Sequence, residues 1–139
     1  MDISFSVSGK PQPQGSVRAF MPKGWTRPVL TSDNKTLKPW RKEVAKAASA
    51  AMGAAQPSEK AIGVAITFRF VRPKSVKKSV EFKLTKPDVD KLARGILESL
   101  TGVCFKDDSQ VVKLLAVKGF SDSDGADIRV FEMQMEEGW

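Results

Sequence analysis

Lys86-Pro87-Asp88-Val89-Asp90 is the stretch on which the reading of this chain turns, and Lys106-Asp107-Asp108-Ser109-Gln110 follows it one helix later. Pro87 disfavours helical dihedrals at Lys86 and tolerates helix only from the first turn onward. An extended segment therefore ends here and a helix begins, with Asp88 placed to cap free backbone N–H groups. Val89, Leu92, Ile96 and Leu100 recur at helical spacing as one apolar stripe. Asp90, Arg94 and Glu98, four apart, stack on another face. Gly102 closes the helix as a residue able to turn left-handed.

Inside a helix, two residues two apart point about 200° away from each other. At a strand-to-helix junction they need not, because Asp88 can stay extended while Asp90 enters the first turn. Both carboxylates can then aim at one hard cation. Magnesium takes one or two protein carboxylates and keeps positions for water and phosphate. A third carboxylate from Asp107 or Asp108 would complete the site. Adjacent residues of an extended chain face opposite ways, so only one of that pair points inward. Taken singly, each residue also reads blandly: Asp88 as a cap, Asp90 as solvated, and Lys106 to Ser109 as a turn.

The charge is unevenly placed. Residues 1–87 hold 17 Lys or Arg against 5 Asp or Glu, a net of +12, whereas residues 88–139 hold 6 against 11, a net of −5. Cations that hold a phosphate backbone beside carboxylates that hold metal suit phosphodiester chemistry, although a basic balance alone also fits a structural nucleic-acid binder. With no His and a single Cys104, the common zinc sites and every His-based triad are excluded. Cys104 cannot form an internal disulfide, which fits a reducing cytoplasm. No apolar run reaches the roughly 20 residues that cross a bilayer, and the N-terminus lacks a signal peptide's layout. A cytoplasmic protein without membrane contact is expected. The 139 residues suit one domain, 1–139, with its own core.

Along the chain, Ile3, Phe5 and Val7 alternate with serines over residues 2–8, a half-buried strand. Residues 9–34 form a long Pro- and Gly-rich loop carrying Lys10, Arg18, Lys23 and Arg27, read as a mobile basic flap over DNA or a solvated loop. Phe20 and Trp25 stand among these cations, to stack on a base or to anchor the loop. Thr36 is placed to cap an Ala-rich helix running to about Met52, with Trp40, Val44, Ala47 or Ala48, and Ala51 inward. Ile62, Val64, Ile66, Phe68 and Phe70 make the strongest strand. Arg72, Lys74, Lys77, Lys78, Lys83 and Lys86 form a basic connector to the acidic junction. Gln110 to Gly119 is a near-continuous apolar run, which predicts a strand covered on both faces, and residues 126–135 a final strand. The order β-α-β-α-β-β predicts an α+β fold with one mixed sheet and two helices.

Lys86-Pro87-Asp88-Val89-Asp90, the helix ending Leu97-Glu98-Ser99-Leu100-Thr101-Gly102, and Lys106-Asp107-Asp108-Ser109-Gln110-Val111-Val112 together resemble the RusA family of Holliday-junction resolvases. The opening Phe5-Ser6-Val7-Ser8-Gly9-Lys10-Pro11 is similar to that family's N-terminus. The resemblance implies a homodimeric, magnesium-dependent endonuclease of phage or prophage type, with manganese as a substitute metal. It would resolve four-way DNA junctions by paired nicks, in recombination and repair. It carries the catalytic carboxylates to Asp88, Asp90 and Asp108, favouring Asp108 over Asp107. The family's functional Lys, one turn beyond the second Asp, is Arg94 here, and its usual Asn after that Asp is Lys91. Arg94 can clamp a phosphate but stays protonated. Two other readings stay open: a nuclease for a different branched DNA, and a DNA-binding relative without catalysis.

Overall fold

The computed structural model describes residues 1–15, 17–32 and 35–135, with the side chains of 17–20 and 29–32 outside the description. The period-of-two stretch does what its pattern demands. Ile62, Val64, Ile66, Phe68 and Phe70 are all buried on one face of β4 (Ile62–Val71). That strand pairs on one side, antiparallel, with β6 (Gly125–Glu132) and on the other, parallel, with β5 (Val111–Ser121). Outermost beyond β6 lies β1 (Asp2–Ser8), antiparallel to it. The result is a mixed sheet of order β1-β6-β4-β5, an α+β fold whose main elements follow the expected sequence.

Two helices cover one face of this sheet. The first, α1 (Leu37–Met52), buries Leu37, Trp40, Val44, Ala48 and Met52, so its stripe ends on Met52 rather than Ala51. Thr36 precedes it without a side-chain cap bond; its hydroxyl donates instead to Gln12 Oε1 at 2.6 Å. The second, α2 (Val89–Leu100), buries Leu92, Ala93, Ile96 and Leu100 against the same core, while Val89 stays exposed. Gly102, at φ 84°, takes the left-handed turn assigned to it. The other sheet face is open and mixed: Ser6 and Arg69 both bond Asp127, Arg129 pairs with Asp2 at 2.8 Å, and Leu115 and Val117 stand exposed beside them. Among the described residues no helix is long and apolar enough to cross a membrane.

Two expectations need correcting. The 9–34 segment is not structureless, because β2 (Val17–Phe20) and β3 (Val29–Ser32) pair as an antiparallel hairpin. Ser16, Asp33 and Asn34 of that segment lie outside the described residues. Four-residue strands are too short to show a periodicity against a Pro- and Gly-rich background. Nor is β5 covered on both faces. It is the sheet's edge, and Val112, Leu114, Leu115 and Val117 are exposed.

Candidate active site

The junction at α2 is built as its residues require. The Lys86–Pro87 peptide is cis. Asp88 is extended (φ −68°, ψ 141°), and its carbonyl accepts the first helical bond from Leu92 N–H at 3.1 Å, while Asp90 sits in the first turn. The expected side-chain cap by Asp88 is absent. Its carboxylate instead borders a cleft of about 530 Å³, together with Lys10, Gln12, Gln14, Lys86 and Lys91. Among the described residues neither the Asp88 nor the Asp90 carboxylate has a hydrogen-bond or ion-pair partner. Two carboxylates with uncommitted oxygens thus stand at the positive end of a helix, where negative charge is favoured.

Two contacts hold this junction in place. Lys118 of β5 donates to the carbonyls of Thr85 and Pro87, both at 2.8 Å. Gln14 N–H donates to the Lys91 carbonyl at 3.0 Å, which brings residues 10–15 up as the cleft's other wall. Gln14 Oε1 is buried with no hydrogen-bond partner there.

The second acidic cluster is organised differently. Asp107 caps a short 3-10 turn (Asp108–Gln110), its Oδ1 accepting from Ser109 N–H at 3.0 Å. Gln110 Oε1 accepts from the backbone N–H groups of Lys106 and Asp107, while its amide donates to the Ser58 and Lys60 carbonyls, both at 2.9 Å. The Ser109 backbone N–H, then the neighbouring Asp108 carboxyl and the Ser109 hydroxyl, hold the Asp107 carboxyl below the usual carboxylate range. Asp107 is therefore engaged as a cap. Asp108, exposed at the start of the turn, is the member of the pair free of that duty.

Within one chain the two clusters do not meet. Asp88 and Asp90 stand at the N-terminal end of α2, and Phe105 bridges Thr101 and Ser58 at its C-terminal end. Twelve helical residues put roughly 18 Å between those ends. Among the described residues no three Asp, Glu or Cys side chains are grouped to share a metal ion.

Comparison with known proteins then bears on the whole arrangement. The family model described as Endodeoxyribonuclease RusA matches residues 9–131. The chain belongs to the RusA family. It is also 31% identical over 144 residues to "Uncharacterized protein YqaN" of Bacillus subtilis (strain 168), covering 94% of this chain and 96% of that one. The RusA match includes the cleft wall at residues 10–15, the α2 junction and the Asp107–Asp108 turn. A RusA family member is a nuclease of Holliday-junction DNA, and the cleft brings the uncommitted Asp88 together with Lys10, Lys86 and Lys91.

The remaining residues singled out in the sequence divide by environment. Lys91 borders the cleft, and Arg94 is exposed one turn further along the same helix. Lys10 and Lys86 line the cleft, and Lys23, Arg27, Lys74, Lys77 and Lys78 are exposed. Arg72 is committed internally: it donates to the Lys77 carbonyl at 2.7 Å and to that of Val80, and lies 4.7 Å over the Phe120 ring. Lys83 is likewise tied, to the Thr85 hydroxyl at 3.0 Å and over Phe70. The side chains of Arg18 and Phe20 lie outside the description, while Trp25 is exposed. Glu98 is spent on Arg41 of α1 at 3.2 Å. Sequence reasoning missed Gln12, Gln14 and Lys118. Lys118 did carry a signal, as the cation in register with buried Phe68, on the face that Leu114 and Ala116 share.

Proposed function

We propose that this chain is a divalent-metal-dependent endonuclease that resolves four-way DNA junctions by symmetric nicks as a homodimer. The observation that carries this reading is the pair of uncommitted carboxylates, Asp88 and Asp90, at a helix N-terminus beside a lysine-walled cleft. Their hard oxygens, unspent on capping, fit magnesium or manganese. When bound, such an ion supplies Lewis-acid polarisation of a phosphoryl oxygen and activation of a water. Lys10, Lys86 and Lys91 line the approach and offset the phosphate's charge, and Arg94 clamps a neighbouring phosphate. Lys118 fixes the carbonyls of Thr85 and Pro87 and so positions Asp88. Lys23, Arg27, Lys74, Lys77 and Lys78 extend the basic surface for the junction arms.

Asp108 enters this reading through a second chain. It lies at the far end of α2 from Asp88 and Asp90, so one ion touching all three carboxylates takes Asp108 from the partner copy. Paired nicks need two sites about a two-fold axis in any case. The test is cleavage of a synthetic four-way junction, with and without magnesium, beside linear duplex and single strand. Paired, magnesium-dependent nicks confined to the junction are expected, and Asp90→Asn should bind the junction without cutting it. Full-rate cleavage by Asp90→Asn would refute the site. Tight junction binding by the parent chain with no product under magnesium or manganese would leave a DNA-binding relative without catalysis.

A further inference from the structure

Away from the cleft, the exposed face of α1 is basic in a way a helix does not favour. Its 16 residues hold Lys38, Arg41, Lys42 and Lys46 against one acid, Glu43. Lys38, Lys42 and Lys46 are exposed and four apart, so they stack as neighbours. Like charges at that spacing weaken a helix, and the first turn, where acids are favoured, holds none. Among the described residues none of these three ammonium groups has an ion-pair partner. Arg41 differs, because it reaches across to α2 and pairs with Glu98 at 3.2 Å. Both members of that pair line a groove of about 550 Å³ between the helices, with Lys38 and Lys42 on α1 and Ser99 on α2. The groove continues the cleft, since Gln14 lines both. Gln14 N–H on the Lys91 carbonyl at 3.0 Å fixes that seam to α2, and the Thr36 hydroxyl on Gln12 Oε1 at 2.6 Å ties the start of α1 to the same wall. Arg94, exposed, stands on α2 between Lys91 of the cleft and Glu98 of the groove.

We propose that the α1–α2 groove carries the sugar–phosphate backbone of one DNA arm as it leaves the cleft, with Lys38, Lys42 and Lys46 as phosphate contacts. Four residues advance a helix by roughly 6 Å, so the row spans roughly 12 Å. That is a track for a polyanion rather than a pocket for one small anion. Its continuity with the cleft selects DNA, because the strand held beside Asp88 has the groove as its basic way out. Ammonium groups on a helix face meet phosphate without reading bases, so the contact is independent of sequence. Asp88 and Glu98 are ten helical residues apart, roughly 15 Å. At 3.4 Å for each base pair, the contacted phosphates lie about four or five base pairs from the scissile bond. What occupies the cleft rests on the function proposed above; the track itself stands on the unpaired lysine row.

Binding of a synthetic four-way junction by the full-length chain, measured across salt concentrations without divalent metal, tests the track. Each phosphate contact contributes about 0.9 to the slope of log affinity against log salt. Lys38→Gln combined with Lys42→Gln should lower the slope by about 1.8 and weaken binding in 0.1 M salt by at least about tenfold. Lys60→Gln combined with Lys113→Gln removes the same net charge away from α1 and should move the slope far less. Relieved of like-charge neighbours, the α1 variant should unfold in denaturant no earlier than the parent, so a folding defect does not stand in for lost contact. A neutral methylphosphonate scanned along each arm should weaken the parent, and not the α1 variant, about four or five base pairs from the cut. Equal slopes for parent and α1 variant, equal losses in the two double variants, a scan with no such position, or a parent that binds no DNA would each overturn the proposal. A slope lowered as expected, in a chain that makes no nick under magnesium, would uphold the track and fail only the nuclease reading. A parent that nicks the junction while the α1 variant keeps its slope would do the reverse.

Discussion

Mixing two inactive variants should restore cleavage. Asp90→Asn and Asp108→Asn are each expected to lower junction cleavage by at least about a hundredfold, the scale on which a single placed charge acts in a preorganised site. The separation of the two positions along α2 makes their combination informative. In a mixed dimer with shared sites, one site joins the intact Asp88 and Asp90 of the Asp108→Asn chain to the intact Asp108 of the other. The second site collects both substitutions. Random exchange at equal concentration makes half the dimers mixed, each with one working site of two, so about a quarter of the parent's sites return. The product should change as well, since one working site nicks one strand. The assay is gel separation of nicked junction from resolved duplex, on each variant alone and after exchange. Were all three carboxylates supplied by one chain, no mixed dimer would hold an intact site. A mixture no more active than the mean of its components would therefore refute the shared site.

Other outcomes follow from single contacts. Lys118→Met should leave the Thr85 and Pro87 carbonyls without their donor, costing about 1–3 kcal/mol in denaturant unfolding, and should slow cleavage more than it weakens junction binding. Gly125→Ala would place a Cβ 2.6 Å from the Val7 carbonyl oxygen and against Arg69, destabilising the β1–β6 pairing by about 1–3 kcal/mol in thermal or denaturant unfolding. The Asp107 carboxyl is held below its ordinary range by the Ser109 N–H, so its cap contributes above that range and is lost as pH falls through the lowered value. Acid titration of stability should thus be steeper for the parent than for Asp107→Asn, and equal slopes would discount the cap. Burial pushes the Cys104 thiol up to about 11, so a thiol reagent near neutral pH should react only as the chain unfolds.

The parts of the fold legible in the sequence were those written in long periods. The alternation from Ile62 to Phe70 and the stripe of Leu92, Ile96 and Leu100 each bury the side chains their spacing selects. Pro87 and Gly102 mark the two ends of α2 for steric reasons that no tertiary contact overrides. The site was half legible. Extended Asp88 followed by helical Asp90 could be read from Pro87 alone, whereas the 10–15 wall required knowing that Gln14 would bond Lys91 across the fold. Asp107 and Asp108 could not be ranked from residue type, because the distinction is a cap bond to Ser109. The apolar run in β5 was misread for a definite reason. A strand apolar on both faces is buried in a sheet interior, yet this one lies at an edge, and composition alone does not separate the two.

That same misreading connects the edge to the chemistry. Lys118 belongs to β5, and its ammonium grips the two carbonyls just ahead of Asp88. The strand at the sheet's edge is therefore the strand that positions the junction. Straightening or twisting β5 would be transmitted from Val117 through Lys118 to the backbone at Thr85 and Pro87. The edge strand and the site geometry should then be coupled even before metal or DNA is added. Leu114→Glu, which disturbs β5 but touches no cleft residue, is expected to raise hydrogen exchange at the Leu92 amide bonded to Asp88. Exchange at Leu92 unchanged in that variant would separate the two, leaving the edge with no hold on the junction.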